Sequence, residues 1–334
     1  MTKDDSQIIK GVAILMMIFL HLIVADCNNL IYIGGEPLCS ILKQATNPVA
    51  FFLIVGGYGL YKVWQRGDKH RWSRLAKLLT HYWIITLIFV AIGWFIFPDK
   101  YPGSAKALLS TFSLYESAYN GEMWFLLPYM VLSAIAPWLF KLFARFRPLT
   151  VIGVTLFIHL CTSFCISRYG QSFWFYNYWA YNPLLVFHLL FNFALGATAA
   201  RCNFFESLSH RFSHLSSCKI FLATVVGVIC LVSISCAFKY NFFYAFLLIC
   251  CIVLMPKNRF CSKFLCTMGN HSMNMWMVHT WFCTYLFHDF FYSLKYPLLI
   301  MAMVAIVSYL SSLIINTMCK PITSFITLKL SNHG

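Results

Sequence analysis

Lys10 and His21 are the first residues of this chain whose types and spacing could do chemistry together. Eleven helical steps of 100° put them about 20° apart on one helix face and about 16 Å apart along the axis. A lysine would stand at one mouth of the helix and a histidine past its middle. Histidine titrates near neutrality and can take a proton from a hydroxyl as a general base. Asp26 follows five residues later, which turns it about 140° away from His21 on the same helix. It is therefore poorly placed to orient the imidazole. The plainer reading of the stripe is a topology-setting lysine and a histidine hydrogen-bonded to a neighbouring helix.

Four further clusters carry polar or glycine-rich character. Arg71 and Arg74 sit in a basic run from Arg66 to Lys77. Three apart, they share a face if a helix starts there, and two guanidinium forks could clamp phosphates. The alternative is a solvated basic loop that sets topology. Gly56, Gly57 and Gly59 surround Tyr58, and such small residues admit a close helix or ligand. Glu122 and Trp124 lie in the run Asn120-Gly121-Glu122-Met123-Trp124-Phe125, where a helix is expected to begin; an acid there favours the helix dipole, and the Trp reads as an interface anchor. Finally, a turn at Gly269–Ser272 is expected to open a helix bearing Asn274 and His279, five apart and not well aligned on one face. His159 and His188 read as packed, hydrogen-bonded residues.

These residues need membrane helices to position them. Hydrophobic residues make up 60% of the 334, and charged ones only 10%. A soluble chain carries about 25% charge, so this one cannot cover a soluble surface. Its apolar blocks suit a bilayer core of about 30 Å. We read an all-α, polytopic bundle of about ten transmembrane helices. The expected segments are Ile8–Ala25, Val49–Trp64, Tyr82–Phe97, Met123–Phe140, Thr150–Cys165, Pro183–Ala200, Ile220–Phe238, Asn241–Met255, Met273–Phe287 and Leu298–Met318. They form one membrane domain over residues 1–334, with a short tail after the last helix.

With the N-terminus inside, 19 of the 25 Lys and Arg fall in inner segments, which places both termini in the cytoplasm. The net charge of +15 then belongs to cytoplasmic loops that touch anionic lipid heads, and nucleic acid has no place as a partner. The 14 cysteines show no metal spacing, and no metal is expected. Cys27 and Cys39 share the first outer loop, and in an oxidising compartment they are expected to join in a disulfide.

Taken in order, these clusters resemble the acyltransferase-3 family of integral-membrane acyltransferases, from about residue 5 to residue 318. The family's first helix has Arg, ten residues, then His; here Lys10-Gly11-Val12-Ala13 leads to His21. Its second helix ends in Ser-Gly-Tyr or Ser-Gly-Phe, similar to Gly56-Gly57-Tyr58. Its Arg-x-x-Arg is matched by Arg71 and Arg74. Trp124-Phe125-Leu126 and the span from Ser272 to His279 match its later motifs. Lys for Arg at position 10 keeps the charge and loses the bidentate fork, and Gly for Ser at 56 removes a hydroxyl.

The resemblance implies O-acyl transfer, usually of acetyl from cytoplasmic acetyl-CoA. The acceptor would be a hydroxyl of a cell-surface polysaccharide or its lipid-linked precursor, in a bacterial inner membrane. His21 would be the catalytic base, and Lys10, Arg71 and Arg74 would bind the donor. Gly56, Gly57, Tyr58, Glu122, Trp124, Asn274 and His279 would line the substrate pocket. No bound cofactor is implied; the acyl-CoA is a substrate, and the partners are the acceptor and membrane lipid. The rival class is a transporter or flippase of lipid-linked sugars, which would use a similar polar path without acyl transfer.

Overall fold

The computed structural model describes residues 1–67, 70–170, 181–238 and 242–331. Lys69 of the basic run and Asn241, the expected start of one helix, lie outside them. The described chain is almost entirely helical. In order, the helices are α1 (Lys3–Leu20), α2 (Leu38–Lys43), α3 (Pro48–Gln65), α4 (Arg71–Ile96), α5 (Ala105–Phe112), α6 (Leu126–Arg145) and α7 (Pro148–Tyr169). They continue as α8 (Tyr181–Arg201), α9 (Phe204–Arg211), α10 (Ser217–Ala237), α11 (Tyr244–Leu254), α12 (Arg259–Thr280), α13 (His288–Tyr292) and α14 (Pro297–Ser331). A small antiparallel hairpin pairs β1 (Tyr32–Ile33) with β2 (Glu36–Pro37). Its two-residue turn is Gly34-Gly35, both at positive φ, the geometry glycine adopts without penalty.

All ten expected segments are helical at least in part. Among the described residues, seven stretches are long and apolar enough to cross a membrane: Leu38–Gln65, Arg71–Ile96, Gly121–Arg145, Pro148–Tyr169, Tyr181–Arg201, Ser217–Ala237 and Pro297–Ile326. α11 is apolar but shorter. α1 and α12 are outside that set because they carry the polar residues: Lys3, Asp4, Asp5 and Lys10 on one, Asn270, His271, Asn274 and His279 on the other.

Several boundaries differ from expectation: α4 starts at Arg71 rather than Tyr82, and α14 runs to Ser331 rather than Met318. Two others bear on the site. α1 starts early and ends at Leu20 rather than Ala25. A capping box starts it: the Thr2 hydroxyl accepts from the Asp5 N–H, and the Asp5 carboxylate accepts from the Thr2 N–H. His21 is thus the C-cap residue of α1, with φ −89° and ψ 1°, and a 3₁₀ turn follows at Val24–Asp26. At the other end of the chain no turn breaks Gly269–Ser272. α12 runs unbroken through it from Arg259, where the Asn258 side chain caps the Phe260 and Cys261 N–H groups. Gly269 serves close packing instead, as described below.

The chain forms two compact units. The first holds Met1–Val55 and Asn203–Leu313; the second holds Gly56–Cys202 and Ile314–Gly334. In the first, α1 lies against α12, and α10 and α9 pack on α11. Its core is made by Ile9, Ile14, Ile18, Met275, Met277 and Val278, all fully buried. In the second, α8 packs on α6 and α7, and α6 also meets α4. Phe140 and Phe193 stack there, 5.9 Å apart and 3° from parallel.

Candidate active site

The first unit is assembled by two glycines. A Cβ on Gly11 of α1 would run into the backbone carbonyl of Leu265 on α12, and one on Gly269 would run into the carbonyl of Gln7. The two contacts are reciprocal, so α1 and α12 meet backbone to backbone, as small residues allow in membrane helices. From this crossing each helix climbs three turns, ten residues from Gly11 to His21 and ten from Gly269 to His279. Equal lengths of parallel helix end at the same height. That is why residues 258 positions apart in sequence meet.

They meet ring to ring. His21 Nδ1 and His279 Nε2 are 2.9 Å apart, with ring centroids at 5.0 Å and planes tilted by 41°. His279 is fully buried, whereas His21 is half-buried. His279 Nδ1 lies 2.8 Å from the Trp276 carbonyl and 3.2 Å from that of Met275. A carbonyl only accepts, so Nδ1 of His279 bears its proton, and its Nε2 carries the lone pair. His21 Nδ1 must then donate. In neutral His21 the lone pair is left on Nε2, the atom a general base uses. A π-helical segment, Trp281–Leu286, begins two residues after His279, an irregularity frequent at functional sites.

The chain just beyond His21 is tied down. Lys43 donates to the Leu22 carbonyl at 2.6 Å, and the Ile23 N–H donates to the Tyr292 hydroxyl at 2.6 Å. The Asn28 N–H donates to the Lys295 carbonyl. Asp26 does not serve His21: its carboxylate takes His288 Nε2 at 3.1 Å, and His288 Nδ1 faces Asp289 at 3.0 Å. Tyr292 and Lys43 carry no sequence signal for this role, because their partners are backbone atoms distant in the chain. Cys27 and Cys39 are free thiols, so the disulfide weighed for the first outer loop is not formed. They are near neighbours. Burial pushes the Cys27 thiol up, Cys39 and Asp26 add to this, and Lys43 opposes it.

Asn274 looks a different way from His279. Its amide donates to the Ser312 hydroxyl at 3.2 Å, and His271 Nδ1 meets the same hydroxyl at 2.9 Å. Ser312 and Asn274 are buried, and together they fasten α12 to α14. Asn274 is a positioning residue by this geometry. Lys10 lies half-buried on α1, eleven residues before His21.

The remaining expected residues belong to the second unit. Gly57 of α3 lies on the backbone of Phe193 and Ala197 in α8, where a side chain would collide. Gly56 faces the Tyr129 ring, and a Cβ there would stand 3.2 Å from it. The space that a serine would take in the family pattern is thus narrowed by Tyr129. Tyr58 is buried, with Lys62 over its ring at 5.7 Å. Arg71 and Arg74 open a helix, α4, which begins before the expected Tyr82 and so gives them the shared face that their spacing allows. Their surroundings differ: the Arg71 guanidinium stacks over Trp72 at 4.7 Å and Trp138 at 5.1 Å, while Arg74 is exposed within electrostatic reach of Tyr129. Glu122 and Trp124 lie in a 3₁₀ turn, Gly121–Phe125, that leads into α6, with the Asn120 side chain accepting the Glu122 N–H. Trp124 sits edge-on to Phe125. Among the described residues no cluster of three or more His, Cys, Asp or Glu could hold a metal.

Among known proteins the chain is matched at the level of the family. No curated protein and no solved structure matches it. A family model described as an acyltransferase domain matches residues 4–317, a span that takes in Lys10, His21, both arginines of α4 and His279. With its apolar helices, this makes the chain a membrane protein of the acyltransferase-3 family.

Proposed function

We propose that this protein is an integral-membrane O-acyltransferase, with His21 as its general base and His279 as the residue that sets the tautomer of His21. The observation that carries this is the chain of hydrogen bonds from His21 Nδ1 to His279 Nε2 and from His279 Nδ1 to the Trp276 carbonyl. The donor is acetyl-CoA, and the acceptor is a sugar hydroxyl of a surface polysaccharide or its lipid-linked precursor. The membrane is the bacterial inner membrane.

His21 Nε2 takes the hydroxyl proton while the acceptor oxygen attacks the thioester carbonyl carbon. The tetrahedral intermediate then loses the CoA thiolate as the carbon–sulfur bond breaks. The imidazolium of His21 returns its proton to that sulfur, and the base is regenerated. His279 helps by accepting from Nδ1, so that the positive charge formed on His21 is shared along the hydrogen bond. Lys10 adds a point charge on the same helix. Arg71 and Arg74 supply fixed positive charge for the phosphates of CoA, with the planar Arg71 fork held flat by its two tryptophans.

The test is covalent. Inverted membrane vesicles carrying the protein should transfer radiolabel from acetyl-CoA to glycan, and His21→Ala vesicles should not. Label-free glycan with the wild-type protein, alongside movement of a lipid-linked sugar across the bilayer, would mean a flippase instead.

A further inference from the structure

The first unit carries a second feature besides the histidine pair. A groove of about 810 Å³ runs along three helices. Leu15 of α1, Phe264 and Met268 of α12, and Met301, Ala305 and Tyr309 of α14 form its walls. It stretches from Phe260 at the start of α12 to Leu298 at the start of α14. Its size falls in the range of lipid- and drug-sized sites, about 300–1,000 Å³.

Lys263 is the charged residue in this lining. Arg259 precedes it by one helical turn, so the two cations share a face of α12. Both are exposed. The nearby Lys257 is already neutralised by Asp5, 2.6 Å away. Among the described residues no carboxylate forms an ion pair with Arg259 or Lys263. Phe260 and Phe264 flank them, 80% and 47% exposed, too apolar to face water in comfort. The groove thus has an apolar body and a doubly positive end.

We propose that this groove binds an anionic glycerophospholipid, with an acyl tail along α1, α12 and α14 and its phosphate on Lys263 and Arg259. Charge complementarity selects this occupant. A zwitterionic lipid brings its own ammonium group to the same place and gains little from two more cations. A free anion would leave the apolar trough unused. The face is the one whose basic residues put it on the cytoplasmic side, where anionic headgroups are met.

Native mass spectrometry of the full-length protein in detergent, titrated with phosphatidylglycerol or phosphatidylcholine of the same tails, reads the preference directly. Wild type should retain phosphatidylglycerol on the order of tenfold better. The double variant Arg259→Gln, Lys263→Gln should bind the two lipids equally, with phosphatidylcholine retention unchanged. Ala305→Trp, which fills the trough, should lower retention of both. The charge variants alter exposed side chains, so circular dichroism should match wild type. Equal retention of the two lipids by wild type overturns the proposal, as does a preference that survives the double variant. So does displacement of the bound lipid by millimolar inorganic phosphate, which would make the site one for a soluble anion.

Discussion

The His21–His279 pair of the first unit and the His159–His188 pair of the second each bring two imidazoles together between helices, yet they are wired differently. In the first, ring nitrogen meets ring nitrogen at 2.9 Å with the rings tilted. In the second, the rings stack 4.3 Å apart at 26°, and the Nδ1 atoms bond elsewhere. His159 Nδ1 donates to the His188 backbone carbonyl at 2.8 Å. His188 Nδ1 faces the Thr162 and Ser163 hydroxyls, which themselves donate to carbonyls of α7. One pair joins two rings by a hydrogen bond, so the tautomer of one imidazole sets that of the other. The other pair spends each Nδ1 on groups other than the facing ring and fastens α7 to α8. A histidine in an apolar helix therefore says little until its partner is known.

The largest expected difference between the pairs is in transfer activity. His21→Ala should lower kcat by about 10²–10⁴-fold, the usual worth of a general base. His188→Ala should cost stability, about 1 kcal/mol for the lost hydrogen bonds, and leave most of the activity. Rates of acyl transfer for the two variants, at matched membrane levels, decide this. Comparable rates would erase the contrast and put the base elsewhere.

His279 sharpens the comparison. On the proposed mechanism it sets the tautomer of His21, so His279→Leu should lower kcat on the order of 10²-fold and leave KM for the donor unchanged. His279→Gln offers the same hydrogen bond an oxygen acceptor and should recover part of the loss. A structural role alone would give two variants of equal activity. The corresponding change in the second unit, His159→Leu, should leave kcat within a few-fold.

The next effect is on packing. Gly11→Ala or Gly269→Ala puts a methyl group on a facing backbone carbonyl, which cannot step aside. Each should destabilise by about 1–3 kcal/mol and part the two histidines as well. Thermal unfolding in detergent and transfer rate should fall together. Gly153→Ala in the second unit meets no atom within 4 Å and should change neither.

The smallest effect is a pH dependence at the root of α1. Burial would raise the Asp5 carboxyl, but the hydrogen bond from Lys257, those from Thr2 and the Lys257 charge outweigh it and hold Asp5 below its ordinary 3.8. A depressed carboxylate contributes stability that is complete above the ordinary value and is lost as pH falls through the folded one. Hydrogen exchange in the first turns of α1 should therefore speed up below about pH 4. Asp5→Asn should exchange fast at every pH, with no acid step.

The sequence by itself determined the helical, membrane-type character of the chain. Apolar blocks between charged clusters leave helices as the way to satisfy the backbone in lipid. It also marked the polar residues that such helices tolerate only with a partner: Lys10, His21, Asn274 and His279. The start of α4 at Arg71 was not legible, because its apolar block begins at Tyr82 and the Arg71–Arg74 spacing gives a shared face only where a helix already runs. The end of α1 was not either, because nothing local stops a helix between Leu20 and Ala25; the segment is held by Lys43 and Tyr292, which bind its backbone from elsewhere in the chain. Gly269 misled for a related reason. Glycine opens a turn and admits a close neighbour equally well, and only the approach of Gln7 from α1 chooses between them. Five residues of helix turn Asn274 and His279 to different sides, as the spacing required. That one side would meet Ser312 and the other His21 was decided by the crossing of α1, α12 and α14, since a hydrogen bond between two rings depends on where two backbones place them and not on either sequence alone.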